Sequence, residues 1–213
     1  MKFLLCNGSP RGKNGNSGIL VDVLANGLSE NADVRIEKAL LNRVGEHEQT
    51  AGTLAAADCA IIVFPLYTDA MPGMTMAFFE KLAPYIGSLN DLHLGFVVQS
   101  GFPEKIQSRA VEKYLERLTG ILGAQYSGTA IFGGGMGMGK KRLDRVRKLG
   151  ETFLPDRVFD PFLLDRTTRM DRLSPAGSKV MRVIASMPLI QAPWIHQLKA
   201  NGAYDKRNDR PYA

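Results

Sequence analysis

Short apolar runs alternate with longer amphipathic segments along the first two-thirds of the chain. Five of the runs are typical of strands, and the clearest of them, such as Cys59–Phe64, are apolar throughout, as in a strand buried on both faces of a sheet. The predicted strands are Lys2–Cys6, Val34–Leu41, Cys59–Phe64, Leu92–Gln99 and Gln125–Phe132. Apolar residues at helical spacing predict helices at Ser17–Ser29, Thr50–Ala57, Met74–Ile86, Glu104–Leu122 and Lys140–Phe153.

Strands that alternate with helices predict an α/β domain with a doubly wound, five-stranded parallel sheet. Right-handed crossover connections place the helices on both faces of such a sheet. Ligands then bind outside the carboxyl ends of the strands, near the point where the strand order reverses. The loops that follow the strands are therefore where a functional site is expected, namely Asn7–Asn16, Pro65–Gly73, Ser100–Pro103 and Gly133–Gly139.

The alternating pattern stops near residue 154. The remaining segment has no strand pattern and is punctuated by Pro155, Pro161, Pro175, Pro188, Pro193 and Pro211. Within it, Ser178–Leu198 is rich in apolar residues at helical spacing but is interrupted by two prolines. We therefore predict an α/β domain over residues 1–154 and a helical, proline-punctuated extension over residues 155–213, packed on the core or on a partner subunit.

Composition agrees with a globular protein and shows where the charge lies. Hydrophobic residues make up 45% of the chain, and no apolar run approaches the roughly 20 residues that cross a bilayer. The apolar stretch at the N-terminus is too short for a signal peptide, so we expect a cytoplasmic protein without a membrane span. Residues 1–138 hold 11 Lys and Arg against 13 Asp and Glu, whereas residues 139–213 hold 16 against 8. The basic excess therefore belongs to the C-terminal third.

Cysteine and histidine usage excludes several classes of site. Cys6 and Cys59 lie in apolar segments without Cys or His at metal-ligand spacing, which predicts two buried thiols in adjacent strands. A zinc or iron–sulfur centre cannot be assembled from that pair. His47, His93 and His196 share no ligand spacing, and no Ser-His-Asp or Cys-His arrangement is recognisable. We therefore predict no metal site.

The segment between the first strand and the first helix has the composition of a phosphate-binding loop. It reads Asn-Gly-Ser-Pro-Arg-Gly-Lys-Asn-Gly-Asn-Ser over residues 7–17. A Gly-rich turn that opens a helix supplies backbone N–H donors, and the helix dipole favours an anion there. Ser9 and Ser17 add hydroxyls, Arg11 adds a forked cation, and Asn16 is a candidate helix cap. The spacing differs from the P-loop pattern, which disfavours ATP or GTP hydrolysis, and a polar turn without a ligand is the alternative.

Gly8–Arg11 followed by Asn16 and Ser17 resembles the FMN-phosphate loop of the NADPH-dependent FMN reductase family, a group of NAD(P)H-dependent oxidoreductases in the flavodoxin-like superfamily. Two further loops agree with it. Pro65–Gly73 resembles the family's segment that forms a wall against the flavin ring, and Gln99–Pro103 resembles the segment at the ring edge. The three loops occur in the family's order, and the resemblance covers residues 1 to about 150.

The resemblance implies a flavodoxin-like fold, noncovalently bound FMN and a role for each matching residue. The FMN contacts would come from Ser9, Arg11, Asn16 and Ser17 at the phosphate, from Pro65, Leu66, Tyr67 and Thr68 along the ribityl chain and ring, and from Gln99, Ser100, Gly101 and Phe102 at the ring edge. NADH or NADPH would deliver hydride, and a quinone, a nitro compound or free flavin would accept the electrons. No catalytic residue is implied, because the cofactor supplies the chemistry.

Several alternatives remain at this point. A flavodoxin-type electron carrier shares the fold, although such carriers are acidic, whereas this chain has a pI near 9.4. The Gly133–Gly139 segment is either a loop that admits substrate or a mobile connection. The basic C-terminal third is compatible with nucleic acid or an anionic membrane, but specific nucleic-acid binding is not expected. We favour a homodimer in which Val180–Leu198 packs across a partner subunit, because an exposed face there would be a large apolar patch.

Overall fold

The computed structural model describes residues 1–30, 34–134, 139–154, 156–168 and 171–209. The strands are β1 (Lys2–Asn7), β2 (Arg35–Leu40), β3 (Cys59–Pro65), β4 (His93–Gln99) and β5 (Gln125–Phe132). The helices are α1 (Asn16–Leu28), α2 (His47–Ala55), α3 (Gly73–Glu80), α4 (Arg109–Leu122), α5 (Lys140–Glu151), α6 (Pro161–Arg166), α7 (Pro175–Ser186) and α8 (Pro188–Ala200). All five predicted strands are present, close to their predicted bounds.

The five strands form one parallel sheet in the order β2-β1-β3-β4-β5. The prediction of a five-stranded parallel α/β sheet is therefore confirmed. The chain runs from β1 outward to β2 and then crosses back to β3 on the other side of β1. The order reverses between β1 and β3, so the loops that follow these two strands open side by side at the carboxyl edge of the sheet.

The three central strands, β1, β3 and β4, are almost wholly buried because both faces of the sheet are covered there, whereas the edge strand β2 is mostly exposed. In β1, Leu4 and Cys6 belong to one hydrophobic cluster, whereas Phe3 and Leu5 belong to the other. The first cluster includes apolar side chains of α2, α3 and α4, and the second includes those of α1 and α5. Alternate residues of a strand point to opposite faces, so a sheet between two helical layers needs apolar residues at nearly every position.

The two cysteines lie where the sequence predicts them. Cys6 in β1 and Cys59 in β3 are both fully buried, and β1 pairs with β3. Burial disfavours the charged thiolate and raises the pKa of each thiol to about 12. The thiols are free and act as small apolar core residues.

Two predicted helices are shorter than their apolar stripes suggested. The predicted helix Met74–Ile86 is wrong beyond Glu80, because Pro84 lacks an N–H group and the chain forms a short 3₁₀ turn instead, which leaves Ile86 57% exposed. The predicted helix Glu104–Leu122 begins as a 3₁₀ turn and becomes α-helical only at Arg109. Ile106 and Tyr114, two residues of the apolar stripe on which the helix prediction rests, are exposed.

Contacts divide the chain into a first unit, residues 1–171, and a second unit, residues 172–213. The sequence pattern places the boundary earlier, after residue 154, where the strand signal ends. Residues 156–168 contact the sheet through individual side chains and backbone groups. These contacts leave no periodic pattern in the sequence. Phe159 is buried in the core beside Phe153, and the Ser127 hydroxyl donates to the Arg157 carbonyl.

The described part of the second unit is a pair of helices joined at Met187. Helix α7 begins with Pro175 in its first turn, capped by the Ser174 hydroxyl, which accepts from the Gly177 N–H. Helix α8 begins with Pro188 and contains Pro193. No residue of α7 or α8 is buried. No helix within the described ranges is both long enough and apolar enough to span a bilayer.

Candidate functional site

The loop after β1 is organised by the last residue of that strand. The buried Asn7 side chain accepts a hydrogen bond from the Ser9 N–H (3.0 Å) and donates one to the Gly12 carbonyl (2.8 Å). The Ser9 hydroxyl oxygen in turn accepts from the Arg11 N–H (3.3 Å). An Asn side chain that bonds to backbone groups two and more residues ahead closes a turn without regular structure. The loop therefore has a defined shape of its own.

The loop leads directly into the exposed N–H end of α1. Gly15 is the N-cap residue and Asn16 is the first helical residue, so the interpretation of Asn16 as a cap is wrong. No side chain caps the helix, and its first turn holds no acidic residue. The first N–H groups of a helix have no partner inside the helix and favour an anion. This end of α1 is therefore suited to a phosphate.

Three glycines allow the loop to pack this closely. Gly12 has a φ of +55°, in the region that favours glycine. A Cβ at Gly18 would collide with the Lys13 carbonyl oxygen, and a Cβ at Gly8 would lie 2.6 Å from the Thr75 hydroxyl. Side chains at these positions would push the loop away from the first turn of α1. The backbone is thus free to approach a ligand closely.

The four predicted phosphate residues are brought together, but with different exposure. Arg11 is exposed and Asn16 is half-buried, whereas Ser9 and Ser17 are buried. The Ser17 hydroxyl oxygen accepts a hydrogen bond from the Gln99 side-chain amide (3.1 Å). Gln99, which we assigned to the ring edge, is itself buried, and its amide ties the end of β4 to the start of α1.

The loop after β3 is a tight turn that presents an exposed aromatic ring. Leu66 is buried, and its N–H donates to the Gln99 carbonyl (2.7 Å), so the loop leaves the sheet beside β4. Tyr67 pairs with Ala70 across the turn and is 51% exposed. Thr68 has a φ of +61°, which is uncommon for a β-branched residue. Such strain costs on the order of 1–3 kcal/mol and is typical of functional loops.

The loop after β4 is joined to the loop after β5. The Ser100 N–H donates to the Phe132 carbonyl (2.9 Å), and the Phe102 carbonyl accepts from the Gly134 N–H (2.6 Å). Gly101 and Phe102 are exposed, with the Phe102 ring beside this junction. Of the Gly133–Gly139 segment, residues 135–138 lie outside the described residues, and so does the prediction that this segment admits substrate.

Sequence reasoning missed several residues that fix these loops. The buried Thr75 of α3 donates through its hydroxyl to the Gly8 carbonyl (3.0 Å). The Thr168 hydroxyl accepts from the Gly133 N–H (3.0 Å) and donates to the Ile131 carbonyl (2.5 Å). The position of Asn7 between a strand and a glycine is a sequence signal for a turn. Thr75 and Thr168 have none, because their partners lie far away in the chain.

Arg142 of α5 closes the site on its β5 side. Its guanidinium donates to the carbonyls of Gly133 (2.5 Å) and Gly134 (3.3 Å). Partial burial lowers the pKa of the Arg142 guanidinium, and the nearby charge of Arg145 lowers it further. The carbonyl contacts hold the first two glycines of the loop against α5.

The clefts found elsewhere on the described part of the chain contain none of the predicted site residues. A cleft of about 490 Å³ lies over the amino-terminal parts of β1 and β2 and contains none of the predicted site residues; its lining includes Lys2, Arg35, Gln49 and Thr53. Within the described ranges, no three His, Cys, Asp or Glu residues are grouped to hold a metal ion. The loops at the carboxyl edge of the sheet are therefore the candidate site.

Comparison with known proteins identifies the fold of the chain. No family model and no curated protein matches the chain. Among solved structures, an NADH:FMN oxidoreductase in its apo form aligns with a TM-score of 0.59 and 13% identity over 82% of this chain and 97% of its own. An FMN-dependent NADH-azoreductase from Bacillus anthracis in complex with FMN aligns at 0.56 and 15%, over 71% and 96%. A Streptococcus flavodoxin aligns at 0.52 and 20%, over 71% and 96%.

The chain therefore has the flavodoxin-like fold. The parallel sheet, its strand order and its helical layers all agree with these structures. The fold-level part of the resemblance found in the sequence is confirmed. In this fold the ligand lies where the strand order reverses, at the loops after β1 and β3.

Proposed function

We propose that this protein binds FMN and acts as an NAD(P)H-dependent flavin oxidoreductase. The observation that carries the proposal is the loop over residues 7–16, which is shaped by Asn7, backed by Thr75 and directed into the uncapped start of α1. It lies at the switch point of a fold shared with FMN-dependent reductases. A monophosphate needs converging N–H donors and a cation, and this loop offers both.

The residues present fit FMN. Its phosphate would be held by N–H groups at the start of α1 together with Ser9, Arg11, Asn16 and Ser17. The ribityl chain and ring would lie along the turn formed by Pro65, Leu66, Tyr67 and Thr68, with Ser100, Gly101 and Phe102 at the ring edge and Gln99 behind it. Tyr67 and Phe102 leave 51% and 43% of their surface exposed beside the site. Aromatic faces of this kind favour contact with a flat ring.

The chain's own residues would bind and orient, since no acid–base pair is needed. When bound, the flavin would supply the redox chemistry, taking hydride from NADH or NADPH and returning electrons to a small acceptor such as a quinone, a nitro compound or free flavin. The hydrogen bonds from Ser100 to Phe132 and from Gly134 to Phe102 fix the ring-edge loop. The turn at Thr68, with its positive φ, would form the wall along the ribityl chain and ring.

The direct test compares FMN with riboflavin, which lacks the phosphate. Titration of the apoprotein, followed by flavin fluorescence, should show tight FMN binding and much weaker riboflavin binding. Arg11→Ala should weaken FMN binding roughly 10- to 100-fold, because a charge-assisted bond to phosphate is lost, and should leave riboflavin binding unchanged. Lys13→Ala is the matched control in the same loop. Equal binding of the two flavins would overturn the phosphate assignment.

Activity separates an enzyme from an electron carrier with the same fold. The FMN-loaded protein should oxidise NADH or NADPH in steady state when a quinone is present. A flavodoxin-type carrier would bind FMN but oxidise almost no nicotinamide by itself. Parallel assays with NADH and NADPH determine the preferred donor, and a series of quinone, nitro and flavin acceptors determines the acceptor class.

A homodimer is part of the proposal. Tyr67 and Phe102 are exposed, and the part of each ring that the flavin leaves uncovered would lie at the contact with a second subunit. Light scattering of the purified protein should then give the mass of two chains. The double variant Tyr67→Ser/Phe102→Ser should shift it towards the mass of one chain, while Ile86→Ser, at an equally exposed site elsewhere, should not.

A further inference from the structure

The second unit presents an apolar surface with no core beneath it. Every residue of α7 and α8 is at least partly exposed. We call the exposed apolar side chains of these two helices the C-terminal apolar surface; its members are Val180, Met181, Val183, Ile184, Met187, Leu189, Ile190 and Trp194. Leu189 is 83% and Trp194 is 64% exposed. Such a patch on a protein surface marks an interaction site.

Helix α7 separates this apolar surface from its charges. At about 100° per residue, its apolar side chains fall within an arc of roughly 160°. Lys179 and Arg182 lie on the remaining arc, together with Ser178 and Ser186. An apolar face bordered by lysine and arginine is typical of helices that lie in the interface of a membrane.

The charge of this region is one-sided. Residues 172–204 contain no Asp or Glu, but they contain Arg172, Lys179, Arg182 and Lys199. Lys179, Arg182 and Lys199 therefore have no acidic neighbour within five residues in sequence and would attract an anionic surface. A second copy docked through the same segment would bring no acidic side chain of residues 172–204 to these cations, whereas an anionic surface would pair with them, so the anionic surface is favoured as the occupant.

We propose that the C-terminal apolar surface docks the protein peripherally on an anionic membrane. The apolar side chains would enter the boundary between headgroups and acyl chains, and the lysines and arginines would lie among acidic headgroups. Neither α7 nor α8 is a candidate membrane span, which agrees with a helix pair lying on the surface. This inference does not depend on the proposed flavin chemistry.

The chain carries its own probe for this contact, since Trp194 is its single tryptophan and lies on the surface in question. Full-length protein is mixed with phosphatidylcholine vesicles that contain or lack phosphatidylglycerol. We expect a blue shift of tryptophan emission and cosedimentation with the anionic vesicles, and neither with the neutral ones. Added salt should reduce the binding, because it screens the charges. The same result is expected with and without FMN.

Variants separate the charged from the apolar contribution. Lys179→Gln/Arg182→Gln should weaken partition into anionic vesicles roughly 30-fold. Leu189→Glu, at the most exposed position, should abolish the blue shift. Both changes lie on exposed side chains and should leave the circular dichroism spectrum unchanged. Ile86→Glu, an exposed apolar position of the first unit, is the matched control and should bind like the unmodified protein.

Three outcomes would overturn the proposal. Equal partition into neutral and anionic vesicles would remove the role of charge. Loss of vesicle binding together with a dimer that Leu189→Glu dissociates would identify a second copy as the occupant. A tryptophan shift with single-stranded RNA, but not with vesicles, would identify nucleic acid. A protein that binds no flavin would still be informative, because the vesicle assay does not use the redox site.

Discussion

Helices α4 and α7 have nearly the same spacing of apolar residues, but these residues are buried in α4 and exposed in α7. In α4, Val111, Leu115 and Leu122 are buried in the core beside the sheet. In α7, Val180 and Ile184 stand four residues apart, as Val111 and Leu115 do in α4, and both are exposed. Periodicity therefore predicts that a helix forms and which stripe is apolar, but it does not predict what covers the stripe.

The same contrast separates the two units as a whole. The first unit buries apolar side chains on both faces of a five-stranded sheet, and its loops at the carboxyl edge are fixed by buried polar contacts. The described part of the second unit has two helices and no buried residue within them. Stability should therefore reside in the first unit, whereas the second should serve contacts with something outside the chain.

The largest expected effect separates the two units directly. Phe96 is fully buried between the rings of Phe79 and Tyr126, so Phe96→Ala should lower the free energy of unfolding by about 3–5 kcal/mol. Trp194→Ala should change it by no more than about 0.5 kcal/mol, because the side chain is exposed. Urea denaturation followed by circular dichroism measures both. Similar losses for the two variants would break the comparison.

A second prediction tests whether residues 161–168 belong with the sheet. The Lys105 ammonium is only 6% exposed and donates to the carbonyls of Leu164 (3.1 Å) and Asp165 (2.6 Å). Lys105→Met should cost about 1.5–3 kcal/mol of unfolding free energy, because bonds to a charged donor are lost. Lys113→Met, on the exposed side of α4, is the control and should be nearly neutral. If Lys105→Met left the free energy of unfolding unchanged, residues 161–168 would belong to the C-terminal extension, as the sequence predicts.

A third prediction uses the same substitution, glycine to alanine, in two helices, where it should change the free energy of unfolding in opposite directions. A Cβ at Gly27 of α1 would collide with the Arg147 carbonyl of α5, so Gly27→Ala should destabilise the protein by about 1–3 kcal/mol. Gly120 of α4 has open space around it, and Gly120→Ala should stabilise the protein by about 0.5–1 kcal/mol. Thermal denaturation gives both values. Stabilisation by Gly27→Ala would mean that α1 and α5 lie further apart.

The last prediction concerns the buried thiols. Their pKa values rise from 9.0 when unfolded to about 12 when folded. Above pH 9 the unfolded chain loses thiol protons that the folded chain retains, so stability should fall by about 1 kcal/mol for each thiol between pH 9 and 10. Denaturation between pH 9 and 10 measures this slope. Cys6→Ala/Cys59→Ala should flatten it, and an unchanged slope would show that the thiols are not its source.

The three central strands were predictable to within about one residue because burial on both faces leaves little choice of residue type. Helix ends were less predictable. The apolar stripe of Met74–Ile86 continues past Glu80, but Pro84 ends the α-helical hydrogen bonding, and a local backbone constraint overrides the pattern. The location of the candidate site was predictable from the topology, since the loops that follow parallel strands meet at the carboxyl edge of the sheet.

The sequence alone determined the parallel α/β class of the sheet, the burial of the two thiols, the glycine-rich loop at residues 7–17 and the basic character of the C-terminal third. Each depends on residues close together in the chain, where composition and spacing carry the information. Tertiary structure decided that the Gln99 amide hydrogen-bonds to Ser17 and that the Thr168 hydroxyl hydrogen-bonds to Gly133. It also decided that α4 has buried residues whereas α7 has none. These contacts join segments far apart in sequence, and only the packing of the sheet brings such groups within hydrogen-bonding distance.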